Sequence, residues 1–319
     1  MAGVTLGDGL KVAARVLLST RRPMLAHVVV TRYCNLACGY CREYDKVSKP
    51  IPLATLVERI DALAALGTQI VTLTGGEPLT HPQHDAVIRR IRHHGMVATT
   101  ITNGFLLTPK KIAGMNEAGL QEMQISIDGV KPDAITQKTL KSLAGKLKIL
   151  AEHARFHVNI NSVLGISEER TNDALEVARA AKDLGFSHTV GVLHDAQGTL
   201  EPMSVTQREV YDLLMGKGSL AHKINFLMFQ KNLMAGRPNN WRCRAGARYL
   251  YICEDGLVHY CSQQRGSPGT PLLEYGQGDI DREYNTTKAC APFCTVSCVH
   301  QASFLDAWRS PQRATAAAA

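Results

Sequence analysis

Cys34, Cys38 and Cys41 stand in one short run, Cys-Asn-Leu-Ala-Cys-Gly-Tyr-Cys, with the spacing Cys-x3-Cys-x2-Cys. A thiolate is a soft, strong metal ligand. Three in one loop can grip three irons of a four-iron cluster and leave the last iron open to a substrate or cofactor. A structural zinc site wants four protein ligands in closed pairs. No suitable fourth ligand follows here, and His27 comes too early. The loop is also too polar for plain core, since it carries Asn35, Gly39, Arg42 and Glu43.

Six more cysteines lie in the last quarter, at Cys243, Cys253, Cys261, Cys290, Cys294 and Cys298, and none lies between 42 and 242. Nine is an odd number, and the N-terminus lacks the pattern of a secretory signal, so metal ligation is a better reading than a disulfide framework. The split into two groups suggests two metal centres in two structural units. Exposed clusters oxidise readily, so a reducing cytosol is the expected compartment.

Something must hold the first loop in place. Ala26–Thr31 is apolar and β-branched, a buried-strand pattern, and it ends just before the cysteines. Further strands are expected at Gln69–Leu73, Val97–Thr102, Gln121–Ile127, Phe156–Val163 and His188–Leu193. Helices are expected between them, at Ala54–Leu66, His84–His94, Lys110–Ala118, Leu140–His153 and Asn172–Leu184. Short helical connections demand parallel strands with right-handed crossovers. The result is either a doubly wound sheet or a full or partial (β/α) barrel, and periodicity alone does not choose. Gly-x-Gly-x-x-Gly is absent after the first strand, which weakens a dinucleotide-binding fold. In a barrel the cysteines sit at the carboxyl end of a strand, where active sites gather.

The flanks are less regular. Residues 9–22 form an amphipathic basic pattern, with Leu10, Ala13, Ala14 and Leu17 on one face and Lys11, Arg15 and Arg22 on another. Such a helix either packs on the main domain or lies on a membrane surface or an acidic partner. Helical spacing returns over 206–235. From 236 onward Gly, Pro, Asn and Cys become frequent, which marks a boundary. Arg248–Cys253 and Leu257–Tyr260 fit a hairpin around Glu254-Asp255-Gly256. Residues 310–319 read as a frayed tail. Lys138, Lys141 and Lys148 read as a solvated helix face.

Composition sets outer limits. The chain has 319 residues, 45% hydrophobic, so it is globular with a sizeable core. No apolar run reaches the ~18 residues that span a bilayer. A net charge of +8 suits an acidic partner or an anionic surface without naming either.

The chain resembles the radical S-adenosylmethionine (SAM) enzymes. In that family a Cys-x3-Cys-x-aromatic-Cys loop holds a [4Fe–4S] cluster, and Tyr40 occupies the aromatic position, which lies near the adenine. Gly75-Gly76-Glu77-Pro78, 34 residues after Cys41, ends the second strand and resembles the segment that binds the methionine amino group. Thr102-Asn103-Gly104 ends the third strand. Ser126-Ile127-Asp128-Gly129 ends the fourth and resembles the ribose-contacting strand. Asn161-Ser162-Val163 ends the fifth, where the family contacts ribose and adenine. The resemblance covers 26–195. It implies reductive cleavage of SAM to a 5′-deoxyadenosyl radical, which abstracts a substrate hydrogen atom. It also implies a low-potential electron donor such as flavodoxin or ferredoxin. Glycines let a backbone approach a ligand closely, and Glu77 is expected to add a negative charge near the ammonium group.

Twelve residues, Gly256 and four residues separate Cys243 from Cys261. This resembles the start of the auxiliary-cluster domain called SPASM, or its shortened form, Twitch. The Cys290-x3-Cys294-x3-Cys298 run matches the end of that pattern only in part, and Cys253 has no counterpart. Two fully liganded cubanes need eight thiolates and six are present. One auxiliary [4Fe–4S] cluster is therefore expected, held by Cys243, Cys261 and two of Cys290, Cys294 and Cys298. Two clusters with open irons, or a four-cysteine zinc knot, are the alternatives. A helix over 290–298 would put its three cysteines on one face.

The expected architecture is thus α/β. An N-terminal helix (1–25) precedes a partial (β/α)6 TIM-type barrel (26–235). A small cysteine-rich α+β auxiliary-cluster domain (236–309) and a tail (310–319) follow. His194 and Asp195, ending the sixth strand, are weak candidates for substrate contact or acid–base work. His259, Tyr260 and Gln263 flank Cys261 and are candidates for the substrate side, and Trp241 for packing near the cluster. The leader-binding domain of large peptide-maturing relatives does not fit within residues 1–25. The substrate is therefore expected to be a small molecule or a peptide, with a lipid or a peripheral membrane contact as alternatives and no nucleic acid. A non-catalytic iron–sulfur carrier or scaffold is the reading from another class.

Overall fold

The structure is a computed structural model that describes residues 14–41, 43–165, 167–192, 202–216 and 220–309. His194, Asp195, residues 9–13 of the N-terminal helix and the 310–319 tail lie outside the described residues. Residues 14–18 are helical.

Among the described residues nine strands form one sheet, in the order β6-β5-β4-β3-β2-β1-β7-β8-β9. The first six are β1 (Leu25–Thr31), β2 (Ile70–Gly75), β3 (Val97–Thr102), β4 (Glu122–Ser126), β5 (His157–Leu164) and β6 (Ser187–Val192). Each pairs in parallel with the next. The connecting helices are α1 (Leu53–Ala65), α2 (His84–His93), α3 (Pro109–Ala118), α4 (Leu140–His153) and α5 (Asp173–Asp183). A doubly wound sheet reverses strand order at a switch point. Here the order runs from β1 to β6 without reversal, as in a barrel, so the partial-barrel alternative is the one the chain adopts.

Local chemistry explains the element ends. Thr108 caps α3 by accepting from Lys111 N, Pro109 follows it, and Gly119 closes the helix at φ 85°. Thr139 caps α4 by accepting from Ser142 N. Alternate strand residues, including Val28, Leu73, Ala98, Ile125 and Ile160, join Ile60, Ile88, Leu143 and Val177 of the helices in the main core. The helices therefore cover one face of the barrel sheet. The other face is polar. Thr72 bonds Thr99 at 2.7 Å, Asn159 bonds Thr189 at 2.9 Å, and Thr189 bonds Asn161 at 2.8 Å.

The stretch expected to be helical over 206–235 is α6 (Val205–Gly216), α7 (Leu220–Asn225), a π-helical turn (Phe226–Gln230) and α8 (Lys231–Met234). The expected hairpin is present as β7 (Tyr249–Ile252) and β8 (Leu257–His259), which pair antiparallel, and β9 (Pro268–Pro271) joins β8. β7 pairs in parallel with β1, so the cysteine-rich segment extends the barrel sheet along its free edge. Beyond β9 lie α9 (Gln277–Asn285) and α10 (Ser297–Phe304).

Two expectations are corrected. Residues 290–298 are not one helix. Pro292 sits in a single 3-10 turn (Ala291–Phe293), Cys294 is extended at ψ 133°, and α10 starts only at Ser297. Cys290, Cys294 and Cys298 thus share no helix face. Lys138 is not on a solvated helix face either, because it precedes α4 and its side chain is 14% exposed against Asp128. Lys141 and Lys148 are exposed. No helix among the described residues is long and apolar enough to cross a membrane.

Candidate active site

The cysteine loop leaves the end of β1 and is tied down along its length. Cys34 N donates to Asp45 O at 3.2 Å and Asp45 N to Arg32 O at 2.9 Å. Lys46 Nζ donates to the carbonyls of Cys34 and Leu36 at 2.8 and 2.9 Å. Gly39 N donates to Ile135 O at 3.0 Å, joining the loop to the segment after β4. Cys34 and Cys38 are buried, and Cys41 is half-buried. Burial pushes the thiols of Cys34 and Cys41 up. Donors already face one sulfur, since Leu36 N lies 3.4 Å and Asn103 Nδ2 3.7 Å from Cys34 Sγ.

The Gly-Gly-Glu-Pro segment presses on this loop from β2. A Cβ on Gly75 would lie 2.1 Å from Thr31 O, and one on Gly76 would lie 2.2 Å from Arg32 O. The glycine pair is thus demanded by the protein's own backbone, and Gly75 has φ 137° besides. Glu77 turns inward, with 0% exposure. Its Oε1 accepts from Leu79 N at 3.0 Å and Thr102 Oγ1 at 2.6 Å, and its Oε2 from Asn103 N at 2.8 Å. Both oxygens are engaged, so Glu77 ties β2 to β3 instead of offering the free charge expected from the sequence. Pro78 is buried in the 3-10 turn that Glu77 caps. Asn103, held by Glu77, donates to Asn35 Oδ1 at 2.8 Å as well as facing Cys34.

Asp128 is the hub on the other side. Its Oδ2 accepts from Tyr40 Oη and Thr136 Oγ1, both at 2.6 Å, and lies 3.3 Å from Lys138 Nζ. Burial, then the charge of Asp128, push the Tyr40 phenol far up. Asp128 Oδ1 is buried with no partner among the described residues. A buried carboxylate oxygen costs free energy unless a donor reaches it. Ser126 sits opposite Asn161, and Val163 opposite Gly191, on the polar half-buried face. His27 lies on the same face 5.1 Å from the Tyr249 ring, and burial pulls its imidazole down to about 4.

The second cysteine set packs against β1 and β7. Cys243 and Cys261 cluster with Val29, Tyr249, Tyr251 and Val299. Burial pushes Cys243 up to about 11, Cys298 up to about 11 and Cys261 up to about 12. Burial also raises Cys294, within electrostatic reach of Cys243, Cys261 and Cys290. Cys298 acts on Cys261 and accepts a hydrogen bond from Tyr249. Cys290 is exposed. Trp241 Nε1 donates to Ala291 O at 2.6 Å, which ties the approach to Cys243 to the turn after Cys290.

Cys253 stands apart. Among the described residues, Cys253, Asp255 and His259 are the group whose ligand atoms all lie within 4.8 Å of one another. Their donor atoms are already engaged. Arg265 holds the sulfur of Cys253, and His259 Nδ1 accepts from Gly266 N at 2.7 Å. His259 is buried, and Tyr260 Oη donates to Glu283 Oε2 at 2.6 Å, so both face the protein. Gln263 is half-buried. Sequence reasoning missed Lys46, Thr136 and Lys138, whose roles depend on the loops between elements and carry no periodic signal. It also missed Glu43, which bonds Tyr251 and Ser262 beside the second set.

Residues 28–195, more than half of the chain, match the Radical SAM superfamily. The chain belongs to that superfamily. Radical SAM proteins use a [4Fe–4S] cluster and SAM. An AdoMet-dependent heme synthase of Methanosarcina barkeri is 31% identical over 180 residues, which cover 53% of this chain and 50% of that one. A GTP 3′,8-cyclase of Geobacter sulfurreducens is 26% identical over 87% of this chain and 82% of its own length. The chain spans about half the length of several curated relatives that it matches, the heme synthase among them. Among solved structures, Streptococcus suis SuiB has a similar fold at TM-score 0.62, with 16% identity over 88% of this chain and 70% of SuiB. The enzyme anSMEcpe, solved with AdoMet and a peptide, is similar at TM-score 0.58 and 14% identity, over 86% of this chain and 84% of its own.

Proposed function

We propose that this radical SAM protein is an enzyme that cleaves SAM at a cluster held by Cys34, Cys38 and Cys41 and takes a hydrogen atom from a peptide. The observation that carries the reading is the three-thiol loop pinned at the carboxyl ends of β1 to β4, next to the unpartnered Asp128 Oδ1. The residues fit the groups. Three thiols leave one iron open, and the orphan oxygen suits a ligand hydroxyl. A cluster held by Cys34, Cys38 and Cys41 would supply the electron for reductive cleavage of SAM, and bound SAM would supply the radical chemistry that removes a substrate hydrogen atom.

The chain's own residues do the positioning. Asn103 hydrogen-bonds the Cys34 sulfur, a contact that tunes an iron–sulfur centre. Asp128 fixes Tyr40 against the loop, where its ring would flank the adenine. The carbonyls of Gly75 and Gly76 are the acceptors for the methionine ammonium, because Glu77 is occupied elsewhere. Ser126, Asn161 and Val163 offer the half-buried face to the nucleoside. Cys243, Cys261 and two of Cys290, Cys294 and Cys298 hold one auxiliary [4Fe–4S] cluster, while Cys253 stays out of it. A low-potential donor such as flavodoxin or ferredoxin delivers the electron.

The fold likeness to SuiB and anSMEcpe, both solved with bound peptides, supports the peptide reading. A small-molecule substrate is the second reading, favoured by the names of two curated relatives, an AdoMet-dependent heme synthase and a GTP 3′,8-cyclase. The test is to incubate reduced, reconstituted protein with SAM and measure 5′-deoxyadenosine. Release above the buffer background is expected. None, even with candidate peptides and small molecules, would favour an electron carrier.

A further inference from the structure

We propose that Lys138 is a redox-positioning residue whose ammonium, fixed over the Tyr40 ring beside Cys41, biases the cluster of the first cysteine loop toward its reduced state. The inference rests on the reading of Cys34, Cys38 and Cys41 as cluster ligands and deepens it.

Lys138 is built in from three directions. Its backbone N donates to Thr136 Oγ1 at 3.1 Å, and its carbonyl accepts from Asp128 N at 2.7 Å. Its Nζ lies 3.3 Å from Asp128 Oδ2 and 5.0 Å from the Tyr40 ring centroid. The same Thr136 Oγ1 sits 3.9 Å from Cys38 Sγ. Lys138 is therefore one bond from the group that touches Cys38, and it stacks on the residue next to Cys41.

The side chain is 14% exposed and its partner carboxylate 0%, so solvent screens the charge poorly. Tyr40 directly precedes Cys41, so an ammonium over its ring lies next to the cysteine loop. Net charge, hydrogen bonds to sulfur and exposure set the potential of an iron–sulfur centre. Removing the ammonium leaves the buried Asp128 carboxylate beside the loop without its counter-charge. An added electron is then harder to accept. The Asp128 carboxylate, which also accepts from Tyr40 and Thr136, keeps the ammonium in place.

The test is an EPR-monitored redox titration of the reconstituted full chain without SAM, in wild type, Lys138→Met, Lys138→Gln and Lys138→Arg. The signal of the second cysteine set is recorded alone in a Cys34→Ala/Cys38→Ala/Cys41→Ala variant and subtracted. At the applied potential where the wild-type first cluster is half reduced, the neutral variants are expected to show a reduced-to-oxidised ratio about ten-fold lower, equal to about 59 mV for one electron. Lys138→Arg stays near wild type. Neutral variants that fail to load iron while Lys138→Arg loads also support a requirement for the charge. Neutral variants that load and titrate like wild type, or an Arg variant that falls with them, overturn the proposal. Wild type carrying no more iron than the triple alanine variant overturns the cluster reading itself.

Discussion

Arg265 places Nε 3.0 Å and Nη2 2.7 Å from the sulfur of Cys253, a two-pronged grip on a side chain with 0% exposure. The guanidinium also binds Glu254, and Arg59 donates to the carbonyls of Cys253 and Glu254. Cys253 therefore anchors the β7–β8 corner. A Cys253→Ala variant is expected to keep its full complement of about eight irons, four per cubane. It should lose about 1–3 kcal/mol of stability through the lost Arg265–sulfur bonds and the lost packing. Iron and sulfide analysis with urea unfolding checks both. A drop of about four irons would make Cys253 an auxiliary ligand.

Alanine at Cys34, Cys38 or Cys41 is expected to abolish 5′-deoxyadenosine formation and remove about four irons, leaving the second centre intact. Quantifying iron beside the nucleoside product separates the two centres. SAM cleavage at wild-type rate in any of the three variants would remove the loop from the chemistry.

Adding a methyl group at Gly75 or Gly76 drives carbon into the carbonyls of Thr31 or Arg32. Gly75→Ala and Gly76→Ala are each expected to cost about 3 kcal/mol or more, at the upper end for overpacking. Thermal unfolding of the metal-free protein reads this without any ligand. A wild-type melting temperature would show that the glycines serve ligand approach only.

The raised thiols of the second set predict a pH dependence. Cys243, Cys261 and Cys298 stay protonated in the metal-free fold up to about 11, 12 and 11, while an ordinary thiol ionises near 9.0. Below that ordinary value both states hold the proton and there is no difference between them. As pH rises past it, the unfolded chain ionises first, so the metal-free fold loses stability across that window. Ligation needs thiolates, so iron loading releases protons and improves as pH rises. Denaturation midpoints across alkaline pH, with and without bound cluster, test this. A flat profile for the metal-free protein would contradict it.

Buffer strength matters little for Glu77, which is sealed from solvent, but its geometry is exacting. Glu77→Gln leaves one of Leu79 N, Thr102 Oγ1 or Asn103 N facing another donor. A stability loss of about 1–3 kcal/mol is expected, together with weaker SAM binding through the displaced Asn103. Calorimetric titration with SAM measures the second effect. Full binding in a destabilised variant would confine Glu77 to the scaffold.

Much of this arrangement is legible in the chain. The apolar, β-branched runs ending at Thr31, Thr102 and Leu164 mark strands to within a residue or two, because burial on one face imposes that pattern. The first cysteine loop is legible because ligand spacing is local. Contacts made at a distance are not. Nothing near Tyr249 announces a partner more than 200 residues earlier, and Glu77 reads as a charge until Thr102 and Asn103 are seen beside it. Lys138 reads as one of three spaced lysines, and only the Asp128 carboxylate pulls it inward. The 290–298 spacing suits a helix, but Pro292 and the extended Cys294 break it.

β1 is bordered by β2 on one side and by β7 on the other. A ribosome delivers β7 only after some two hundred further residues, so the nascent β1 keeps one flank bare while the rest of the barrel grows. An uncovered strand margin invites pairing with another chain. Truncated or stalled products of this protein should therefore be the species that aggregate and that chaperones capture.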